Sequence, residues 1–253
     1  MKRLYFLFVL ILLFSIVQAS EELTGPQIIQ KVSDLMNQET AYAKMTLTIV
    51  TTSGKERQFE YESYSSDKNE KNAIVYTSPS RVKGQAMLLL NNADDIWAYY
   101  PRTDRVRKLA THAKKQKMQG SNFTYEDMGS GDSFITDFIT SRLTDSKMEG
   151  YDCYKIELKK KEESNSNYGR LLMWVIKDNF VPAVIDYYEK DDPMVCSKRL
   201  LQKDIRVIDK IPTPMQMNMH NNLDDSDTKM SIVECKYNIK IDKTRFTERG
   251  FYR

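Results

Sequence analysis

The sequence predicts a mainly β (α+β) protein, in which two amphipathic helices cover the apolar face of one antiparallel sheet. After residue 40, apolar residues alternate with polar ones over most of the chain, which is the period of a half-buried strand. Turn-forming residues separate about twelve such segments, and short connections of this kind favour an antiparallel meander. Two other stretches show helical spacing of their apolar residues.

The first helix is predicted just after residue 23. Thr24 can cap it, because a threonine oxygen accepts from the free backbone N–H groups of the first turn. Pro26 suits that turn because it has no N–H to leave unpaired. The apolar stripe that would face the sheet consists of Ile28, Ile29, Val32, Leu35 and Met36.

The strands begin with a hairpin. Apolar residues at 43, 45, 47 and 49 share one face, and Ser53-Gly54-Lys55 is a turn into a strand that carries Phe59 and Tyr61. The further strand candidates are residues 72–77, 85–90, 95–100, 105–110, 152–160, 170–177, 182–189, 195–208, 213–221 and 229–241.

The second helix is predicted between residues 133 and 142. Phe134, Ile135, Phe138 and Ile139 recur at helical spacing there. Gly129 and Gly131 precede this stretch and are candidates for a hinge.

Residues 1–19 have the pattern of a cleavable signal peptide. Lys2 and Arg3 precede an apolar run over residues 4–17. That run would span roughly 21 Å as a helix, which is less than the ~30 Å core of a bilayer, so an uncleaved anchor is the weaker alternative. We expect an exported protein with one domain over residues 20–253 and a charge of +1, down from +3 for the whole chain. Such a balanced charge gives no reason to expect nucleic-acid binding.

Three cysteines, Cys153, Cys196 and Cys235, are too few for a disulfide scaffold. One bridge and one buried thiol would suit an oxidising compartment, but three pairings are open.

Signatures of catalysis and of metal binding are weak. His112 and His220 have no His or Cys neighbours at the spacing of a zinc site. Ser130 lies between two glycines but does not fit the Gly-x-Ser-x-Gly elbow of hydrolases. The acidic stretch 224–227 lacks the spacing of a calcium loop. The sequence therefore predicts a protein that is not an enzyme and has no cofactor and no metal.

Residues 120–128, GSNFTYEDM, are named the clasp segment here and allow three interpretations. Glu126 and Asp127 could form an acid–base pair, but adjacent residues on regular structure do not face a common point. Asn122 begins a formal glycosylation sequon. The third interpretation is structural: Phe123 and Tyr125 are buried anchors, while Ser121, Asn122 or Asp127 bonds exposed backbone or the basic stretch 102–117.

Two further patterns leave alternatives open. The basic stretch 102–117 is either a solvated loop or a surface for anionic headgroups or an acidic partner. Met215, Met217 and Met219 share one strand face, and Met45, Met87 and Met173 lie in other strands. Flexible methionines suit a cavity for ligands of variable shape, although an ordinary closed core would have the same pattern.

The central stretch IWAYYPRTDRVRKL, followed by the clasp segment, resembles the signature of the outer membrane lipoprotein-sorting protein family, which is LolA/LolB-like in fold. Asn122 stands where that signature has Asp. The residues that match the family motif are Tyr99, Tyr100, Pro101, Arg105, Arg107, Gly120, Ser121, Phe123, Tyr125, Glu126 and Asp127.

The resemblance implies an incomplete, or half, antiparallel β-barrel with an apolar cavity, in a periplasmic carrier or chaperone for the acyl chains of lipoproteins or other lipids. It also implies an RND-type inner-membrane transporter and an outer-membrane acceptor as partners. The alternative is a ligand-free adaptor that docks such a transporter through residues 102–117. We expect the cavity to be lined by Met45, Leu47, Phe59, Leu89, Trp97, Met173, Met215, Met217 and Met219.

Overall fold

A computed structural model describes residues 22–129 and 131–253, which form thirteen strands and three α-helices. The predicted signal peptide lies outside the described residues, and so does Ser130. The helices are α1 (Gly25–Met36), α2 (Tyr125–Met128) and α3 (Ser133–Thr136). The strands are β1 (Thr40–Val50), β2 (Glu56–Ser66), β3 (Lys71–Ser78), β4 (Ala86–Leu90), β5 (Asp95–Tyr100), β6 (Arg105–Lys108), β7 (Phe138–Met148), β8 (Tyr151–Lys160), β9 (Tyr168–Ile176), β10 (Pro182–Glu189), β11 (Asp192–Ile208), β12 (Ile211–Asn221) and β13 (Ser226–Tyr237).

All thirteen strands belong to one antiparallel sheet in the order β6-β5-β4-β3-β2-β1-β13-β12-β11-β10-β9-β8-β7. Each strand pairs with its neighbour in sequence, except that β1 also pairs with β13 and β6 does not pair with β7. The mainly antiparallel fold is therefore confirmed. The sheet is open rather than a closed barrel, because its two edge strands, β6 and β7, do not pair with each other. Residues 109–137 connect these two strands.

The first helix is confirmed together with its cap. The Thr24 side chain accepts a hydrogen bond from the backbone N–H of Gln27, and the Gln27 side chain accepts one from the Thr24 backbone. This reciprocal pair satisfies two donors that a helix start leaves free. Ile28, Ile29 and Val32 are buried in the main core, as the stripe predicts.

The prediction of a second helix between residues 133 and 142 is wrong beyond its first turn. Helix α3 ends at Thr136 and the chain enters β7 at Phe138, where Ile139 is 61% exposed. A single turn followed by a strand produces the same local spacing of apolar residues as a longer helix. Strand β7 itself is polar and pairs with β8 on one side only, so it carries little of the alternation that indicates a strand.

The sheet buries apolar side chains on both of its faces in the β3–β5 region. Met87 and Leu89 belong to the main core, whereas Ala86 and Leu88 belong to a second cluster on the opposite face. The C-terminal residues Phe246 and Phe251 cover that second face. The main core lies on the other face, under α1 and residues 113–138.

Candidate functional site

A mostly apolar cavity of about 230 Å³ lies between the main face of the sheet and the short helices α2 and α3. Methionine and aromatic side chains make up most of its wall, and two acids contribute to it. The lining residues are Met36, Met45, Phe123, Glu126, Asp127, Met128, Ser133, Phe134, Phe138, Ser166, Tyr168, Leu171, Ile185, Tyr187, Leu200, Gln202, Met217 and Met230.

Three methionines meet where the first strand joins the last two. Met217 on β12 lies directly opposite Met230 on β13, and Met230 in turn lies opposite Leu47 on β1. Met45 is two residues from Leu47 on the same face and also lines the cavity. The hydroxyl of Tyr61 lies 3.3 Å from the Met230 sulfur. These unbranched side chains can repack around ligands of different shapes.

The structure brings only part of the predicted cavity set together. Met45 and Met217 line the cavity. Leu47, Phe59, Leu89, Met173 and Met219 are buried in the packed main core, and Met215 is buried outside that core. Trp97 requires a correction: it packs on the opposite face of the sheet, in the cluster with Phe246 and Phe251.

Met230, Phe134, Tyr168 and Tyr187 also line the cavity and were not predicted from the sequence. The alternation within β13 could have identified Met230, which pairs with Met217 once β12 and β13 form a hairpin. No local pattern separates Tyr168 and Tyr187 from ordinary core tyrosines, because β10 is buried along nearly its whole length.

A capping pair within the clasp segment fixes the start of α2. The Thr124 hydroxyl accepts from the Asp127 backbone N–H at 3.2 Å, and the Asp127 carboxylate accepts from the Thr124 backbone N–H at 2.7 Å. This reciprocal pair begins a helix of one turn. Phe123 next to it is buried in the main core, and Tyr125 packs against that core while half-buried.

Asn122 attaches the clasp segment to the β12–β13 hairpin. Its side-chain amide donates to the carbonyl oxygens of Met219 at 3.2 Å and Ser226 at 2.9 Å. Its backbone N–H donates to the Thr228 hydroxyl at 2.9 Å. An aspartate could not donate to either carbonyl, which explains why an amide suits this position.

Asp127 bonds a lysine far along the chain rather than the basic stretch 102–117. Its Oδ2 lies 2.6 Å from the Lys198 Nζ, and both side chains are buried. The Tyr168 hydroxyl donates to Asp127 Oδ1 at 2.9 Å. The ammonium of Lys198 also lies about 5 Å from the ring centres of Tyr168 and Tyr187.

Glu126 is buried beside the same cavity. Its carboxylate accepts from the Ser166 hydroxyl at 2.6 Å and from the backbone and side-chain amides of Asn167. Burial raises the pKa of Glu126 above its usual range, although the Ser166 and Asn167 bonds oppose that shift. Both acids belong to residues of one cavity wall, but their carboxylates bond different partners.

The remaining motif residues lie outside the cavity wall. Tyr100, Arg105 and Arg107 are exposed at the β5–β6 edge of the sheet, and Pro101 lies beside Gly84. Gly120 has a φ of +75°, and its Cα faces the Arg57 guanidinium. Ser121 is fully buried, and its hydroxyl lies 3.2 Å from both the N–H and the carbonyl oxygen of Phe123.

The basic stretch 102–117 is not uniformly solvated. Arg105, Arg107 and Lys108 are exposed on β6. Lys114 is buried, and its Nζ lies 2.9 Å from Asp94. The stretch therefore combines an exposed basic edge with a lysine that anchors residues 111–115 to the turn before β5.

Residues 22–129 and 131–253 contain no group of three His, Cys, Asp or Glu side chains that could hold a metal. All three cysteines are free thiols, which corrects the expected bridge, and Cys153 is buried. No helix among the same residues is long and apolar enough to cross a bilayer.

Three solved structures share this architecture. An outer membrane lipoprotein-sorting protein domain from Vibrio parahaemolyticus matches with a TM-score of 0.81 and 22% identity, over 90% of this chain and 98% of that one. A DUF1329 family protein from Desulfovibrio piger matches with a TM-score of 0.80 and 24% identity, over 88% and 95%. A LolA superfamily protein from Nitrosomonas europaea matches with a TM-score of 0.74 and 20% identity, over 89% and 98%.

At these identities the three structures show the fold, and the resemblance seen in the sequence is confirmed at that level. The comparison with curated proteins gave no match. A family model described as "Uncharacterized protein" matches residues 68–253, which is more than half of the sequence. The chain therefore has the LolA-like fold of lipoprotein-sorting proteins and belongs to the family of that model.

Proposed function

We propose that the protein is a periplasmic, non-enzymatic carrier that holds an acyl chain of a lipoprotein or of another lipid in its apolar cavity. The observation that carries this proposal is the methionine-lined space beneath α2 and α3, with Met45, Met217 and Met230 in its wall. Burial of an acyl chain contributes about 0.8 kcal/mol per CH₂ group, so a covered apolar space is sufficient for binding.

Loading of an acyl chain requires α2 and α3 to move as a lid over the cavity. The cavity of about 230 Å³ is smaller than the roughly 300–1,000 Å³ of typical ligand pockets. A Cβ on Gly129 would lie 2.8 Å from that of Ala93, and one on Gly131 would lie 2.2 Å from Asn92 Oδ1. The two glycines therefore allow close packing against the β4–β5 turn, in addition to their proposed role as hinges.

The polar groups at the cavity support a carrier rather than a hydrolase. Asp127 is engaged by Lys198, Tyr168 and the Thr124 cap. Glu126 is engaged by Ser166 and Asn167. Acids with this many structural partners hold the cavity wall in shape and leave little capacity to activate water.

Native mass spectrometry of protein purified from periplasm without detergent tests the carrier. We expect a bound species whose mass matches a lipid or an acylated peptide, and organic extraction followed by lipid analysis identifies it. Protein that carries no lipid, and that also fails to bind a fluorescent C16 fatty acid, would refute the carrier. The intact mass of this protein reveals whether residues 1–19 are removed, and its distribution between the periplasmic and cytoplasmic fractions tests its location.

The second candidate is a ligand-free adaptor for an RND-type inner-membrane transporter. The exposed basic edge strand β6, with Arg105 and Arg107, is the observation that favours it. Replacing both arginines with glutamine should abolish transporter capture in the adaptor and leave lipid binding unchanged in the carrier. An adaptor would capture the transporter only with both arginines intact and would bind no lipid. A carrier would bind lipid with or without them.

A further inference from the structure

The C-terminal segment forms a surface pocket of about 490 Å³ on the sheet face opposite the cavity. Phe246 and Phe251 anchor the segment in the second hydrophobic cluster. Arg245, Arg249 and Arg253 contribute to the pocket wall. Three arginine residues thus line one small space on the face opposite the cavity.

Backbone hydrogen bonds fix the shape of this pocket. The N–H of Thr247 donates to the Thr244 carbonyl at 3.0 Å, and the N–H of Phe251 donates to the Thr247 carbonyl at 3.1 Å. A Cβ at Gly250 would lie 2.1 Å from the Thr244 oxygen, so only glycine allows the chain to pass there. The segment is a compact turn rather than a loose tail.

Aromatic rings orient two of the arginines. The guanidinium of Arg245 lies 4.0 Å from the ring centre of Tyr64, and that of Arg253 lies 5.7 Å from the ring centre of Tyr252. Tyr252 itself stacks on Tyr99 of β5 at 3.9 Å. Such stacking leaves the guanidinium edges free to donate hydrogen bonds.

The pocket keeps a net positive charge among the described residues, since three arginines and one acid line its wall. None of its three arginines forms an ion pair with an acid in residues 22–129 or 131–253. Asp242 is the acid in the pocket wall, and its Oδ1 accepts from the Thr244 backbone N–H at 2.9 Å.

We propose that Arg245, Arg249 and Arg253 form a binding site for a phosphate group, either on a lipid headgroup or as free phosphate. Guanidinium groups donate paired N–H bonds that match phosphate oxygens. Three such groups around one space suit an anion with several oxygens better than a single carboxylate. The site lies on the other face of the sheet from the cavity, so its test is independent of the proposed carrier function.

The test uses the full protein and two probes at 0.15 M salt. One probe is inorganic phosphate, titrated calorimetrically at constant ionic strength. The other is a set of vesicles with 30% phosphatidylglycerol in phosphatidylcholine, compared with pure phosphatidylcholine in a co-sedimentation assay. The variants are R249Q and R249Q/R253Q, whose side chains are exposed, so the fold should be kept. The matched control is K243Q, which removes one charge from the same segment at an exposed residue outside the pocket wall.

We expect R249Q to weaken binding about fivefold and the double variant by tenfold or more, since each guanidinium that contacts the bound phosphate should contribute about 1 kcal/mol. K243Q should change binding less than twofold. Binding to the anionic vesicles alone identifies a lipid headgroup as the source, and binding to inorganic phosphate alone identifies the free anion. The proposal is overturned if neither probe binds, or if K243Q weakens binding as much as R249Q does.

Discussion

The Nζ of Lys198 lies 2.6 Å from Oδ2 of Asp127, and the two side chains are only 7% and 4% exposed. This pair joins α2 to β11, across 71 positions of sequence. It holds the lid helix α2 against the sheet at the edge of the apolar cavity. The contact is therefore a buried ion pair between α2 and β11 at the cavity wall.

Removal of either partner of this pair should destabilise the protein strongly. K198M leaves the Asp127 carboxylate buried without its cation, and we expect a loss of about 3 kcal/mol in the free energy of unfolding. Urea unfolding followed by circular dichroism measures it. K236M is the control, because the Lys236–Glu234 pair has a similar N–O distance of 2.7 Å but is half exposed and should contribute less than about 1 kcal/mol. Equal losses in both variants would contradict this account.

The amide of Asn122 should be required for attachment of the clasp segment. N122D places a carboxylate beside the carbonyl oxygens of Met219 and Ser226 and removes both donors, so we expect a loss of about 2 kcal/mol or more. The control is N222D, where an exposed asparagine donates to the Cys196 carbonyl. Hydrogen exchange should be faster in residues 120–128 of N122D alone, and unchanged exchange there would disprove the attachment.

The stability of the protein should depend on pH through Glu126. Burial raises the pKa of this carboxyl in the folded chain. Its favourable contribution is therefore complete below the unfolded value of about 4.3, and it is lost as the pH rises through the higher folded value. Relative to E126Q, the wild type should become less stable as the pH increases from 4 to 8.

Urea unfolding of wild type and E126Q at several pH values gives this difference directly. E248Q, at an exposed glutamate, controls for the loss of one negative charge. A difference between wild type and E126Q that stays constant from pH 4 to 8 would show that burial does not govern this group.

Ligand affinity should depend on the methionine wall. M217Q introduces a polar amide into the cavity, and its burial should weaken binding of a fluorescent C16 fatty acid about tenfold. M194Q makes the same substitution at a methionine that is 80% exposed and should leave the affinity unchanged. Equal affinity of M217Q and wild type would place the acyl chain elsewhere.

Much of the fold follows from local pattern. Thr24 and the stripe that begins at Ile28 predicted the first helix, and the predicted strand segments correspond to every strand except β7. These features are encoded by neighbouring residues, because capping and alternation act within a few positions. The open edge between β6 and β7 was expected only from the family resemblance, which implies an incomplete barrel, because an absent pairing leaves no local signal.

The cavity wall was harder to predict from the sequence than the fold, because it depends on long-range contacts. Met45 and Met217 were predicted in the cavity wall and are found there, whereas Trp97 faces away from it. Strands β4 and β5 are apolar on both faces, so their side-chain pattern cannot distinguish the side of the cavity from the side of the C-terminal segment.

The sequence by itself determined the antiparallel strands, the first helix and the clasp residues, because each depends on short-range periodicity or capping. Only the tertiary structure decided that Asp127 pairs with Lys198, that Asn122 bonds the β12–β13 hairpin, and that three arginines share a pocket outside the sheet. The physical reason is that these contacts join residues whose distance is set by the register and order of the strands. That register forms only when the whole sheet assembles.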